Sequence, residues 1–300
     1  MAMTLDDILD SHRTRQFVVM GILNVTPDSF SDGGRFFDPA AAVAQARQMV
    51  AEGADILDIG AESTRPGSAR VDATEQIRRL REVLPAVGEI CQEARPRAMQ
   101  PGQPAEPSLS GPFISIDTTL AEVGEYALQA GADILNDVSA GRDDPRMFDL
   151  AARRGCPIIL MHMLGEPKSM QQDPHYQDVV AEVRDFLRQR TEAAVAAGVG
   201  RRKVIVDPGI GFGKRIKHNL ALLAHTDRIV DLGQPVLIGA SRKRFIGELT
   251  GQADPAARLP GTIAACVESY RQGATIFRVH DVASVRAALT VARAIYQARE

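Results

Sequence analysis

The sequence predicts an α/β protein folded as a single (β/α)8 barrel domain over residues 1–300, and three observations predict it. Eight short apolar runs rich in valine and isoleucine recur along the chain. Helix-length segments of roughly 10–20 residues separate them. Polar and charged residues gather just after the runs, whereas the joints leading into them are mostly glycine or alanine–glycine turns. Runs apolar on both faces suit a parallel sheet covered on both sides. Eight of them, each followed by a helix, is the count of a barrel. A doubly wound sheet alternates in the same way, so the count alone does not separate the two.

The candidate strands are FVVMGIL (17–23), ILDIG (56–60), FISID (113–117), DILND (133–137), PIILMH (157–162), KVIVD (203–207), PVLIG (235–239) and TIFRV (275–279). The first long helix opens at Asp38-Pro39, an aspartate cap followed by proline at the first helical position. Val43, Ala46 and Val50 form its expected apolar stripe. Gly53 ends it, and Gly131, Gly155, Gly198 and Gly273 stand in the same place before later strands. The pentapeptide GADIL at 53–57 and again at 131–135 repeats this junction. A helix over 176–197 carries Val179, Val183, Phe186 and Leu187 at helical spacing. Residues 95–112 break the rhythm, with five of the 17 prolines and almost nothing apolar. They read as a loop without a core of its own, placed by a barrel on the face opposite the usual active site.

Composition excludes several classes. Apolar residues make up 45% and charged residues 24% of the chain, a globular balance. Thirty-five basic against 38 acidic residues leave a charge of -3, so a nucleic-acid partner is not expected. No apolar run approaches the roughly 18 residues of a membrane span, and no membrane partner is expected. The N-terminus MAMTLDDILDSHRTR lacks a charged-then-apolar export signal. Cys91, Cys156 and Cys266 are odd in number and far apart, which supports neither a disulfide framework nor a cysteine metal site. A reducing cytoplasm is the expected setting.

What stands at the strand ends points to an enzyme. Asn24, Asp28 and Asp32 follow the first strand; Glu62, Thr64 and Arg65 follow the second. Asp117 ends the third and Asn136-Asp137 the fourth, while DPGIGFGK (207–214), GASRKRFIG (239–247) and RVHD (278–281) follow the sixth, seventh and eighth. Each has a plainer reading taken singly: Asp117 as a helix cap, Asn136 as a turn residue, Arg65 and Arg278 as surface ion-pair partners, His280 as a structural histidine. In a barrel all of them converge on one mouth, the face where loops carry chemistry.

The glycine run Gly209, Gly211, Gly213 is not a nucleotide motif. Pro208 stands where a Walker loop needs glycine, Arg215 replaces its Ser/Thr, and the spacing is not G-x-G-x-x-G. It reads as a loop that brings backbone and Phe212 close to a flat ligand. SRKR (241–244) reads as a solvated basic turn or as a binder of an anion or a carbonyl.

With MGILNVTPDSFSDGG (20–34), DIGAESTRPG (58–67), SIDT (115–118), NDVSA (136–140), LMHM (160–163), DPGIGFGK, SRK (241–243) and RVHDV (278–282) in this order, the chain resembles the dihydropteroate synthase family of folate biosynthesis over nearly its whole length. The resemblance implies a (β/α)8 barrel transferase, a homodimer, that joins para-aminobenzoate to 6-hydroxymethyl-7,8-dihydropterin diphosphate and releases diphosphate and 7,8-dihydropteroate. It implies magnesium, held by Asn24 on the diphosphate. It further implies that Asp207 accepts from the guanidine-like edge of the pterin, Lys243 reaches its ring carbonyl, and Asn136 and Asp117 bond the far ring nitrogens. Met161 would pack near the pterin, Arg278 and His280 would meet the diphosphate, and Thr64, Arg65 and Phe212 would line the aminobenzoate side. Gly239 and Ser241 join the substrate-binding set, and Asp117, Lys243 and Arg278 are its catalytic members. Arg244 stands where some members carry a serine near the aminobenzoate carboxylate. Two other readings share the pterin contacts: a methyltransferase acting on a corrinoid, which would lack the diphosphate clamp of SRK and R-x-H, and a pterin binder without catalysis, which would lose residues from the first two loops.

Overall fold

Eight parallel strands form one sheet in the order β6-β5-β4-β3-β2-β1-β8-β7. They are β1 (Val18–Asn24), β2 (Ile56–Gly60), β3 (Phe113–Asp117), β4 (Ile134–Asp137), β5 (Ile158–Met161), β6 (Val204–Asp207), β7 (Leu237–Ile238) and β8 (Ile276–Val279). A parallel bridge between Val206 and Val236 brings the edge strands β6 and β7 together, so the sheet curls into a barrel. This computed structural model describes residues 4–26, 38–63, 68, 70–94, 112–165 and 170–298. The Pro-rich stretch expected to be a loop therefore lies outside the described residues, apart from Pro112, and so do Asp28, Asp32, Thr64 and Arg65. No helix among the described residues is long and apolar enough to cross a membrane.

Alternation along the strands sets what the barrel encloses. Val18, Met20, Ile56, Ile134, Ile159, Ile205, Leu237 and Ile276 pack as one interior cluster, while Val19, Leu57, Ile114, Leu135, Ile158, Val206 and Phe277 face the helices. The interior cluster also holds Ile8 and Leu9. They come from the helix Leu5–Leu9, capped by Thr4 and Asp7, which plugs the end of the barrel where the strands begin. No strand–helix count announces this plug; a Thr-x-x-Asp capping box followed by paired apolar residues is its only local signal.

The helix at Pro39–Ala51 starts where expected, with Asp38 accepting from the backbone of Ala40 and Ala41. Its buried stripe is Ala42, Ala46 and Met49; Val43 and Val50 are only partly buried. The stripe thus lies one position away from the valines, because small alanines let the helix approach the strands closely. The helix Val179–Ala196 buries Val179, Val183 and Leu187, with Phe186 at its margin.

The repeated GADIL pentapeptide has a structural meaning. Asp55 donates its backbone N–H to Val19 O and accepts the Val19 N–H on its carboxylate, at 2.8 and 2.7 Å. Asp133 does the same with Ile114, at 2.8 and 2.9 Å. Each aspartate thereby satisfies a strand-end N–H that the parallel ladder leaves open.

Candidate active site

Two residues beyond an interior position, seven of the strands present a site residue to the same side. Ile56 is followed in this way by Asp58, Ser115 by Asp117, Ile134 by Asn136, Ile159 by Met161, Ile205 by Asp207, Leu237 by Gly239 and Ile276 by Arg278. A floor that is apolar except at Ser115 therefore carries a mostly polar layer one pleat above it, which is why the site sits inside the mouth and not on its rim.

The first half of this layer is an ion network. Arg278 Nε donates to Asp58 Oδ2 at 2.6 Å and its Nη2 donates to Asp117 Oδ2 at 2.8 Å. Asn136 Nδ2 donates to both oxygens of Asp58, at 3.3 and 3.2 Å, which sets the plane of its amide. Burial pushes Asp117 up to about 7, against the pull of Arg278. Gly60, interior on β2, keeps space open: a Cβ there would lie 3.7 Å from Asn24 Oδ1 and 3.8 Å from Asp117 Oδ2.

The second half gathers around β6. Asp207 is buried and pushed up to about 6 by burial, opposed by the Gly209 N–H that donates to its Oδ1 at 2.7 Å. Gly209 has φ +66°, and a Cβ there would fall 1.9 Å from His162 O, so only glycine lets this loop close beneath β5. Phe212 ends inside the mouth with Lys243 Nζ 3.9 Å from its ring centroid, a cation–π contact. Burial, with Arg278 nearby, brings Lys243 down to about 8. Gly239 leaves the space beside Asp207 open, since a Cβ there would come to 3.9 Å from Asp207 Oδ2.

The third part joins the ends of β7 and β8. Ser241 Oγ accepts the His280 N–H at 3.2 Å and lies 2.9 Å from His280 Nδ1. Burial pulls His280 down to about 3, so the ring is neutral near pH 7. The Nε2–H tautomer is the one in which the Ser241 hydroxyl donates to Nδ1. Arg242, at φ +56°, forks onto Asp281 at 3.0 and 2.6 Å and fixes the turn between Ser241 and Lys243.

Above these groups opens a cavity of about 950 Å³ whose wall includes Asn24, Phe212, Lys243, Arg278 and His280. Met161 packs with Met163, Met170, Val138 and Phe212 at its side. Sequence reasoning thus placed Asn24, Asp117, Asn136, Met161, Asp207, Phe212, Gly239, Ser241, Lys243, Arg278 and His280, and the fold brings them to one mouth. Arg244 is at the cavity wall too, its guanidinium paired with Glu248. Two residues were missed. Asp58 sits inside ILDIG, where the alternation Ile56-Asp58-Gly60 marks it as interior. Lys214 closes the glycine run and is 3% exposed.

Among the described residues no group of three or more His, Cys, Asp or Glu is arranged to hold a metal ion. Asn24 Oδ1 is a hard oxygen donor beside the opening kept by Gly60, which fits magnesium, an ion that takes few protein oxygens and completes its shell with phosphate and water.

The pterin binding enzyme family matches residues 20–95 and 104–280. Dihydropteroate synthase of Neisseria meningitidis serogroup B is 45% identical over 282 residues, 92% of each chain. That of Escherichia coli K12 is 41% identical over 282 residues, 94% of this chain and 93% of its own. The solved Xanthomonas albilineans dihydropteroate synthase with 4-aminobenzoic acid has a TM-score of 0.81 at 45% identity, covering 94% of this chain and 93% of that one. The Thermus thermophilus enzyme in complex with 6HMPPP gives 0.76 at 44%, covering 94% and 95%. With the family matched along the strands that build the mouth, this chain belongs to the pterin-binding enzymes, among the dihydropteroate synthases.

Proposed function

We infer that the chain condenses 6-hydroxymethyl-7,8-dihydropterin diphosphate with para-aminobenzoate, giving 7,8-dihydropteroate and diphosphate. The observation that carries this is the division of the mouth: a buried carboxylate, Asp207, beneath Lys243 on one side, and the donors Arg278 and His280 on the other. The Asp207 carboxylate suits the donor-rich edge of a pterin, and Lys243 suits its ring carbonyl. Asn136, its Nδ2 held by Asp58, offers its amide oxygen to the far edge, where Asp117 also faces. Met161 supplies an apolar wall, and Phe212 forms the aminobenzoate side, to which the family resemblance also assigns Thr64 and Arg65.

The reaction breaks the bond between the pterin methylene carbon and the diphosphate oxygen, with the electron pair leaving on oxygen. The methylene cation is conjugated with the electron-rich pterin, so a dissociative course is reasonable, and a carboxylate at Asp117 steadies it. The aminobenzoate nitrogen lone pair then forms the new carbon–nitrogen bond and sheds a proton. No strong general base is required of the chain, because an arylamine is already a neutral nucleophile. Arg278 and the Nε2–H of His280 act on the leaving anion. Magnesium, held by Asn24 and the diphosphate oxygens, would add neutralising charge there.

The same reading makes the enzyme a homodimer of the cytoplasm. Support for a subunit contact comes from Val291 and Ile295, one turn apart on the last helix and 60% and 56% exposed. Support for a reducing compartment comes from Cys91, Cys156 and Cys266, odd in number and far apart in the sequence. Mixing both substrates with magnesium and protein should release diphosphate and dihydropteroate together; no release of either overturns the reading.

A further inference from the structure

The mouth contains one buried cation to which the chemistry above gives no task. Lys214 is 3% exposed, and among the described residues no carboxylate lies within hydrogen-bond distance of its amine. Instead Nζ meets Gly209 O at 2.9 Å, Phe212 O at 3.0 Å and His162 Nδ1 at 2.9 Å, with His162 O at 3.3 Å. Its amine thus has three close partners, two of them backbone carbonyls. Burial draws Lys214 down to about 7, opposed by the nearby charge of Asp207, while its close hydrogen-bond partners are uncharged.

Those acceptors lie on the segments that shape the substrate side. Gly209 follows Asp207 and fixes its carboxylate; Phe212 presents its ring to Lys243; His162 follows Met161 at the end of β5. Lys214 therefore ties both ends of the glycine loop to the neighbouring strand end. The rest of the loop is held from outside: Gln171 Nε2 donates to Gly211 O at 2.6 Å, Tyr176 Oη to Gly213 O at 2.9 Å, and Gly211 N–H to Asn219 Oδ1 at 2.7 Å. The Phe212 ring packs on Met161, Met163, Met170 and Val138, its N–H donates to Gly209 O at 3.1 Å, and its carbonyl is held by Lys214.

We propose that Lys214 is a positioning residue for aminobenzoate: its ammonium, anchored on His162, clamps the Gly209 and Phe212 carbonyls and so holds the Phe212 ring against Lys243. The proposal rests on the reading of the reaction given above. It specifies a KM effect: losing the clamp should loosen the wall that aminobenzoate meets, while Asp207 keeps its own bond from Gly209.

The test is steady-state kinetics of Lys214→Met, which keeps the apolar stem, and Lys214→Gln, which keeps two N–H donors without the charge. Wild-type protein is assayed first, so that absent activity there counts against the reaction and not against Lys214. In Lys214→Met the KM for aminobenzoate should rise by about 10-fold or more with kcat within about 3-fold, and Lys214→Gln should fall between it and wild type. In Lys214→Ala, added propylammonium should restore the low KM, a response that a purely structural defect would not show. An unchanged aminobenzoate KM in folded Lys214→Met overturns the proposal. So does failure of both Lys214→Met and Lys214→Gln to fold, since Lys214 would then hold the fold and not the loop.

Discussion

Arg278 on β8 reaches across β1 and β2 to Asp117 on β3, donating from Nη2 to Oδ2 at 2.8 Å, while its Nε holds Asp58 on β2 at 2.6 Å. One guanidinium thus organises the carboxylates of two strands before any substrate arrives. The diphosphate clamp and the pterin floor share this residue, and that sharing has measurable consequences.

The first concerns pH. Burial lifts Asp117 from its ordinary 3.8 to about 7, so between those values the folded chain keeps a proton that the unfolded chain has lost. Stability contributed by the protonated form is therefore lost as pH rises through this window. Asp117→Asn cannot ionise and lacks that loss. Its Tm relative to wild type should climb from pH 4 to pH 7, as read by thermal melts; a flat difference would remove Asp117 as the linked group.

Asp207→Asn keeps the shape and removes the charge facing the pterin's donors. The loss in pterin binding should be about 1.5–3 kcal/mol, the scale of a charge-assisted hydrogen bond. Calorimetry with a diphosphate-free pterin measures it, and an unchanged affinity would take Asp207 out of the pterin site.

Aminobenzoate should bind weakly to the free enzyme and more tightly once pterin and magnesium diphosphate are present, since the anion gives Arg278 and His280 a partner at the mouth. Arg278→Ala should abolish that enhancement. Because Arg278 also fixes Asp58 and Asp117, diphosphate-free pterin should bind the variant more weakly as well. Removing one partner of a mostly buried pair costs on the order of 3–5 kcal/mol of stability, so Tm should fall too. Equal aminobenzoate affinity with and without magnesium diphosphate would contradict the ordering.

Replacing residues 97–110 by a short Gly/Ser linker should leave kcat within about three-fold. In sequence the stretch lies between the helix Ala73–Glu93 and β3, and the start of β3 is on the face of the plug, opposite the mouth. A collapse of kcat in folded protein would show that the stretch serves the site or a partner subunit.

The sequence by itself determined the eight strands, the helix that starts at Asp38, and most of the polar groups at the strand ends. These follow from local causes: a two-residue alternation, an aspartate cap, glycine at a junction. Only the tertiary structure decided which of those groups meet. The pairing of Arg278 with Asp58 and Asp117 spans 220 and 161 residues and depends on strand register and closure, which no local pattern encodes. The same holds for Ile8 and Leu9, whose place under the barrel needs the barrel first. Lys214 looked like the last letter of a glycine motif because its partners are backbone carbonyls, and carbonyls leave no mark in composition. Side-chain chemistry was legible from residue types; its geometry came from packing, where each site residue stands two positions beyond an interior residue of its strand.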